Sequence, residues 1–517
     1  MNYADLFRVT LPETALDIAA LLVLIVDLGF LRKAALQTRI VASVLIGLLG
    51  CGAAVATIPF QADGGLNYPG SMDLLLSVGG YTAIAQVGIL VLTVLTLFLL
   101  IGSDFTKHVG EFVAVVLMAA TGGLLISAAQ DLLVIFVGLE LLSLGLYILT
   151  AFAKRSDKSA ESAMKYYLFG GMSAAFLLFG FSYLYGLTGS TNLHEIMLGF
   201  YSSTVIGSTP LVYVALVMIA AGLGFKVAAV PFHLWAPDTY EGAPAPAAAF
   251  IASVSKVASF ALLIGISTAA IHVFDHGRLA LGEMFTASQG ALFQPKYAGF
   301  VRPWSTIIAI IAVASMVFGN LAALAQNSVR RLLAYSAIAH AGYILLAIAY
   351  FSPTNISANA ILYYILTYGL TTIGAFGAVS VVERMTGSDR MDAFLGLYKR
   401  NGLLAGVLLV LFLSLAGIPP LVGFWAKFNL FAAVLQVNRG VVPFTLVAIA
   451  VAMSAVSLYY YLQVLKRVFV MPPADEAPVK GSSLTIAVLA LIAAAVVVLG
   501  CLPGLMQSWM GGFYAGM

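Results

Sequence analysis

The chain has 517 residues, 62% of them hydrophobic and only 9% charged, with a formal net charge of +3. Soluble domains carry about 25% charged residues, and no core of this size encloses so much apolar surface, so the solvent must be lipid. The small net charge argues against a nucleic-acid partner, and two cysteines (Cys51 and Cys501, both in apolar segments and expected as buried thiols) are too few for an iron–sulfur cluster.

The N-terminal stretch "MNYADLFRVTLPETALD" has no basic run before its first apolar segment, so a cleaved signal peptide is not expected. A spanning helix needs about 20 mostly apolar residues. In chain order such segments lie near 11–30, 40–60, 77–101, 111–128, 131–152, 162–186 and 211–235. The second half adds 245–274, 305–325, 331–351, 357–382, 403–437, 441–470 and 483–502. The expectation is an all-α polytopic membrane protein of about 14 transmembrane helices, with connections too short to hold a soluble domain. Any nucleotide, flavin or haem chemistry would then lie on other chains.

Direction follows from the Lys/Arg bias of the connections. Odd-numbered connections carry sixteen basic residues, among them Arg32, Lys33, Arg155, Arg330, Arg331, Lys399 and Lys480. The termini and even-numbered connections carry five: Arg8, Arg278, Lys296, Arg302 and Arg439. Odd connections are therefore expected in the cytoplasm and both termini on the opposite side. The last four basic residues, Lys165, Lys226, Lys256 and Lys427, fall within predicted spans. Of the acids, only Glu140 reads as lying well inside a helix.

A charge at the bilayer centre costs roughly 2.5–3.5 kcal/mol on insertion scales. Lys165 lies a few residues into its span, where a lysine is able to snorkel to the interface. Lys226, Lys256 and Lys427 each lie ten or more residues from the start of their segments, where snorkelling is a poorer account. Leaving water disfavours the charged form of an amine, so a buried lysine is able to give up its proton, which is what a carrier needs.

Span 7 ends in "GFKVAAVPFHLWAPDTYEGAPAP". Pro231 has no N–H for the carbonyl of Val227 and its ring opens that turn, which frees a carbonyl beside Lys226. His233 would lie two turns from Lys226 on one face if the helix ran straight. Span 12 contains a second interruption, Pro419–Pro420 in "LAGIPPLVGFWAKF", with Lys427 about two turns later. A proline kink alone is common in membranes, but broken helices also mark ion paths in transporters. The two regions belong to a repeat. At an offset of 200, "LL" and Glu140 after Gln130 fall on "LL" and His340 after Arg330; "AMKYYL" from Ala163 meets "AILYYI" from Ala360, and "AG" at 221 meets "AG" at 416. Two five-helix units, spans 4–8 and 9–13, follow, and an odd number of helices makes the second unit inverted.

The stretches "GLELLSLGLYIL", "SAMKYYLFGGMSAAFLLFG", "KVAAVPFHLWAPDTYEGAP", "RRLLAYSAIAHAGY" and "AGIPPLVGFWAKF" resemble the antiporter-like subunits of bacterial NADH:quinone oxidoreductase, respiratory complex I, over nearly the whole chain. The resemblance implies fourteen helices with two inverted five-helix repeats, broken helices 7 and 12, and proton movement through buried polar residues near the midplane. By motif, Glu140 resembles the helix-5 glutamate, Lys226 its helix-7 lysine partner, Lys256 the bridging helix-8 lysine and Lys427 the helix-12 lysine at the outer exit. His233 and His340 resemble the polar links on either side of the centre, and Lys165 has a counterpart of less settled role. Lys427 stands where the M form has a glutamate, the long lateral helix of the L form is absent, and "HLWAPDTYEGAP" is closer to the N form than to "HTWLPD". Subunit N is therefore the form resembled.

That resemblance implies four parts: an N-terminal three-helix segment (1–105), two half-channel repeats (106–275 and 300–470) and a C-terminal helix (471–517). It also implies a non-redox subunit in a bacterial inner membrane, both termini periplasmic. No cofactor is expected on this chain, with quinone, FMN and iron–sulfur clusters on partner subunits. The expected partners are other membrane-arm subunits, including a neighbouring antiporter-like one, together with lipid, water and protons. The rival readings are a subunit of a stand-alone cation/proton antiporter and a mainly structural scaffold whose lysines only hold helices together.

Overall fold

The structure is a computed structural model that describes residues 7–515 except 63–74, 104, 202–208, 283–286, 353–354, 474–476 and 480; side chains of 62, 201, 209, 271–302, 355, 514 and 515 are not described. Arg278, Lys296, Arg302 and Lys480, expected in connections, therefore lie outside the described side chains. The chain is a stack of helices. The N-terminal segment holds α1 (Leu11–Leu24, continued by a π turn over Ile25–Phe30), α2 (Leu36–Ala62) and α3 (Gly80–Leu100). The first repeat holds α4 (Val109–Ala128), α5 (Leu132–Thr150), α6 (Asp157–Thr188), α7 (Thr209–Lys226), α8 (Trp235–Gly242) and α9 (Ala245–Gly282). The second holds α10 (Ala287–Leu324), α11 (Val329–Ala349), α12 (Asn355–Thr386), α13 (Gly402–Ala416), α14 (Val422–Val437) and α15 (Val441–Phe469). Helices α16 (Ser483–Cys501) and α17 (Pro503–Ala515) close the chain.

Among the described residues eleven helices are long and apolar enough to cross a membrane. Each of the other three expected spans, 1, 7 and 12, is made of two helical pieces. Helices α9, α11 and α12 are enclosed on nearly every side, whereas α15 turns most of its surface outward. A helix apolar all round belongs inside a bundle or against lipid, and both cases occur here. The enclosed helices carry Lys256 and His340, so these groups sit within protein.

The repeat is visible in backbone detail. Where α5 begins, Leu132 N–H donates to Thr191 and Leu193 N–H to Gln130 (2.9 and 2.8 Å); where α11 begins, Val329 N–H donates to Asp389 and Met391 N–H to Asn327 (2.9 and 2.8 Å). Each helix starts on a side-chain cap, Asp131 Oδ1 for Leu133 N–H and Ser328 Oγ for Arg331 N–H. Gly122 in α4 and Gly319 in α10 let the partner backbones approach so closely that a Cβ would lie 2.5 Å from Leu142 N and 2.7 Å from Ala339 N. The same glycine therefore serves the same helix pair in both units.

Helix α17 follows the segment expected as span 14. Two expectations need correction. Cys501 is exposed, whereas Cys51 is buried as expected. Glu140 is not alone among the acids inside helices. Glu13 and Asp17 lie in α1 and Asp27 in its π turn, where proximity to the chain's beginning hid them.

Candidate functional site: buried lysines at two helix breaks

The first break begins where α7 stops, at Lys226. Ala228 takes a left-handed φ of 57°, and residues 227–234 form turns rather than helix. Two of the carbonyls and one N–H released there find partners elsewhere in the fold. Trp235 Nε1 donates to Phe225 O (3.0 Å), Val230 N–H donates to Ser315 Oγ of α10 (2.9 Å), and Lys256 Nζ from α9 donates to Val227 O. The freed carbonyl of Val227 thus meets a lysine, but Lys256 rather than the adjacent Lys226. Lys226 points the other way, to α5, where Nζ lies 3.4 Å from Glu140 Oε1 and 2.5 Å from Ser143 Oγ. Glu140 and Ser143 are three residues apart and share a helix face. Lys226 is buried, while the Glu140 side chain keeps 26% of its exposure.

The second break follows the same plan with a different lysine. Helix α13 ends on Gly417, whose φ of +86° turns the chain and whose N–H returns to Leu413 and Ser414. That leaves the carbonyls of Leu415 and Ala416 at 3.0 and 2.9 Å from Lys427 Nζ, which also donates to Ser454 Oγ of α15 at 2.8 Å. Lys427 reaches back from α14 to cap the helix before it. In both repeats, then, an ammonium sits at the negative end of an interrupted helix, where cations are favoured.

His340 lies between the breaks on α11. Its Nδ1 pairs with the Tyr364 hydroxyl of α12 at 2.7 Å, and its Nε2 has no partner among the described residues. A cavity of about 10 Å³ joins His340, Tyr364, Thr367, Tyr368 and Thr371 to Ser414 and Leu415 at the second break. That is about the room one water needs. Tyr343, one turn beyond His340, has its ring centre 5.5 Å from Lys427 Nζ and takes a hydrogen bond from Asn320 Nδ2, whose Oδ1 accepts from Tyr460.

His233 departs from the straight-helix expectation. The break turns the chain after Lys226, so His233 packs edge-on against Phe318 of α10 at 4.7 Å, with Nδ1 unpartnered among the described residues. Lys165 departs further. It is 41% exposed and its ammonium is taken by Asp238 (2.8 Å) and Glu161 (2.6 Å). Asp238 belongs to an ionic clasp in which Arg331 holds Asp238 and Glu241 (2.7 and 3.0 Å), and Arg330 donates to the carbonyls of Glu241 and Ala243 at the end of α8. Partial burial works against the Asp238 and Glu241 carboxylates. The hydrogen bonds from Lys165 and Arg331 to Asp238, and from Arg331 and Lys158 to Glu241, outweigh it and hold both below their ordinary range. A polar cavity of about 270 Å³ opens beside this clasp, lined by Lys158, Glu241, Arg330, Glu383, Arg384 and Asp389.

Sequence reasoning overlooked Ser143, Ser315, Ser454, Tyr364, Tyr343, Asn320 and Tyr460. A signal existed for some: Ser143 is one turn from Glu140, and the pairs "YY" at 363 and 459–461 recur on helices that face the breaks. Ser315 and Ser454 gave none, since a serine in a membrane helix commonly bonds its own backbone.

The family profile described as the transmembrane part of NADH:quinone oxidoreductase and Mrp antiporters matches residues 129–297 and 284–456. NADH-quinone oxidoreductase subunit N 2 of Acidobacterium capsulatum is 44% identical over 523 aligned positions, covering 99% of both chains. A chain of respiratory complex I from Thermus thermophilus superposes with a TM-score of 0.73 at 31% identity, covering 96% of this chain and 98% of that one. A chain of the Mrp complex from Dietzia shares the fold, with a TM-score of 0.75 at 21% identity and 97% coverage of each. With this agreement over its full length, the chain belongs to the family of NADH:quinone oxidoreductase and Mrp antiporter membrane subunits, and within it to the subunit N group.

Proposed function

We propose that the chain is the proton-translocating subunit N of a membrane-bound NADH:quinone oxidoreductase, working in the membrane arm while the redox steps occur on other subunits. The family membership supports this, and so does one structural observation. Three lysines are buried beside interrupted helices, and among the described residues their polar partners are backbone carbonyls, serines and a single carboxylate. The Glu140 carboxylate favours a proton on Lys226 while the two are close. When a neighbouring subunit draws Glu140 away, Lys226 loses that support and its proton moves toward Lys256, which is linked to the same break through Val227 O. From Lys256 the proton reaches His340, whose free Nε2 receives it, and then Lys427 beside the second break. His233, on the loop that joins α7 to α8, would relay between Lys226 and Lys256 through water. Lys165 is assigned to the ionic clasp.

The two repeats act as half-channels within the residue limits 106–275 and 300–470. The positive-inside bias places the clasp and its polar cavity on the cytoplasmic side of a bacterial inner membrane, with both termini periplasmic. Quinone, FMN and iron–sulfur clusters belong to partner subunits, for which two distant cysteines offer no ligand set. The exposed side of Glu140 is the face for a neighbouring antiporter-like subunit, since a carboxylate is costly against lipid.

Glu140→Gln keeps the shape and removes the charge. In the purified complex reconstituted in liposomes, the variant is expected to assemble with its full subunit set and to move fewer protons per electron than wild type. A normal ratio would remove Glu140 from the mechanism, and failure to assemble would favour the scaffold reading.

A further inference from the structure

We infer that a second ion-binding site lies in the N-terminal three-helix segment: Glu13 of α1 and the Gln86 amide of α3 hold a small monovalent cation, a proton or a sodium ion. The site is separate from the lysine path and does not depend on it.

Glu13 sits in the first turn of α1 and is 4% exposed. Its Oε1 lies a long 3.5 Å from Gln86 Nε2, and its Oε2 has no hydrogen-bond partner among the described residues. Gln86 is fully buried, and its Oε1 is unpartnered as well. Both orphan atoms are oxygens. Asp17 lies one turn beyond Glu13 on α1, where Thr121 Oγ1 of α4 donates to it at 3.0 Å. The buried amide of α2 nearby, Gln61, is committed to Val9 O.

The same helix provides the contrast. Asp27 is held by Arg39 through two bonds of 2.6 Å and by the Gly110 N–H. Among the described residues no ion pair reaches Glu13 or Asp17. The positive end of α1 favours an anion only weakly beside the cost of burying a bare carboxylate, so the dipole alone does not hold it ionised. A cation must complete the site. An all-oxygen set with a single buried carboxylate suits a hard, singly charged ion. The Gln86 amide serves either ligand, because its Oε1 accepts from a protonated Glu13 or ligates sodium.

The test is infrared difference spectroscopy on the intact complex in liposomes, wild type against Glu13→Gln, at one pH in choline chloride and then in sodium chloride. If the ligand is a proton, wild type has a carboxylic-acid C=O band that the variant lacks and that sodium leaves unchanged. If it is sodium, that band is lost on the change of salt and carboxylate bands replace it. Glu13 carboxylate bands already present in choline and indifferent to sodium would overturn the inference. Gln86→Leu is the second variant, used if Glu13→Gln does not assemble. It keeps the acid and removes its neighbour, so it must shift the same C=O band, and an unmoved band would equally contradict the site.

Discussion

At the level of single residues, the four lysines inside the spans divide into two kinds. Lys226, Lys256 and Lys427 are buried, and each donates to a group at a helix break or to Glu140. Lys165 is two-fifths exposed and shares its charge with Asp238 and Glu161. Exposed ion pairs contribute about 0–1 kcal/mol, and Asp238 keeps Arg331 when Lys165 is removed. Lys165→Ala is therefore expected to shift the unfolding midpoint of the purified complex only slightly and to leave the ratio of protons to electrons unchanged. A lost ratio in an intact complex would return Lys165 to the path. Position along the span already separated this lysine from the others. The resemblance implied the Glu140–Lys226 pair, but the other partners were not legible, because a partner such as Ser454 or Val227 O is fixed by tertiary approach rather than by spacing.

The elements carry the second part of the account, since both breaks turn a hidden row of carbonyls into lysine ligands. Proline marked each interruption in the sequence, and the repeat was legible from short matches such as "YY" and "AG". The backbone pairs at 131/192 and 328/390 are the same feature at higher resolution. Illegible was the course of the chain after Lys226. A period of 3.6 residues carries no information once the helix stops, so His233 was assigned to a face that does not exist. Gly417 tests the second break directly. A Cβ there would stand 3.0 Å from Lys427 Cδ at a backbone φ of +86°, which glycine tolerates and alanine does not. Gly417→Ala is expected to destabilise the subunit by about 1 kcal/mol or more and to lower proton translocation, because the strain falls on Lys427. Gly402→Ala, with nothing within 4 Å of the added carbon, is the control and should change neither. Equal behaviour of the two variants would show that the turn at Gly417 is unimportant to Lys427.

For the whole molecule, the enclosed helices α9 and α11 place Lys256 and His340 within protein, and the small cavity beside His340 reaches the second break. Composition alone indicated a membrane protein. The α17 helix and the acids of α1 escaped notice, being at the ends of the chain where few neighbours constrain a reading. The central claim is that the buried lysines exchange protons and are not merely caps for broken helices. Lys427→Arg separates the two roles: arginine keeps the charge and the donors that Leu415 O, Ala416 O and Ser454 Oγ require, yet it effectively never releases its proton. The decisive measurement is the number of protons moved per electron by the reconstituted Lys427→Arg complex, with its full subunit composition verified. The account predicts a complex that assembles and translocates fewer protons than wild type. A wild-type ratio in that complex would mean that Lys427 only holds the helix end together.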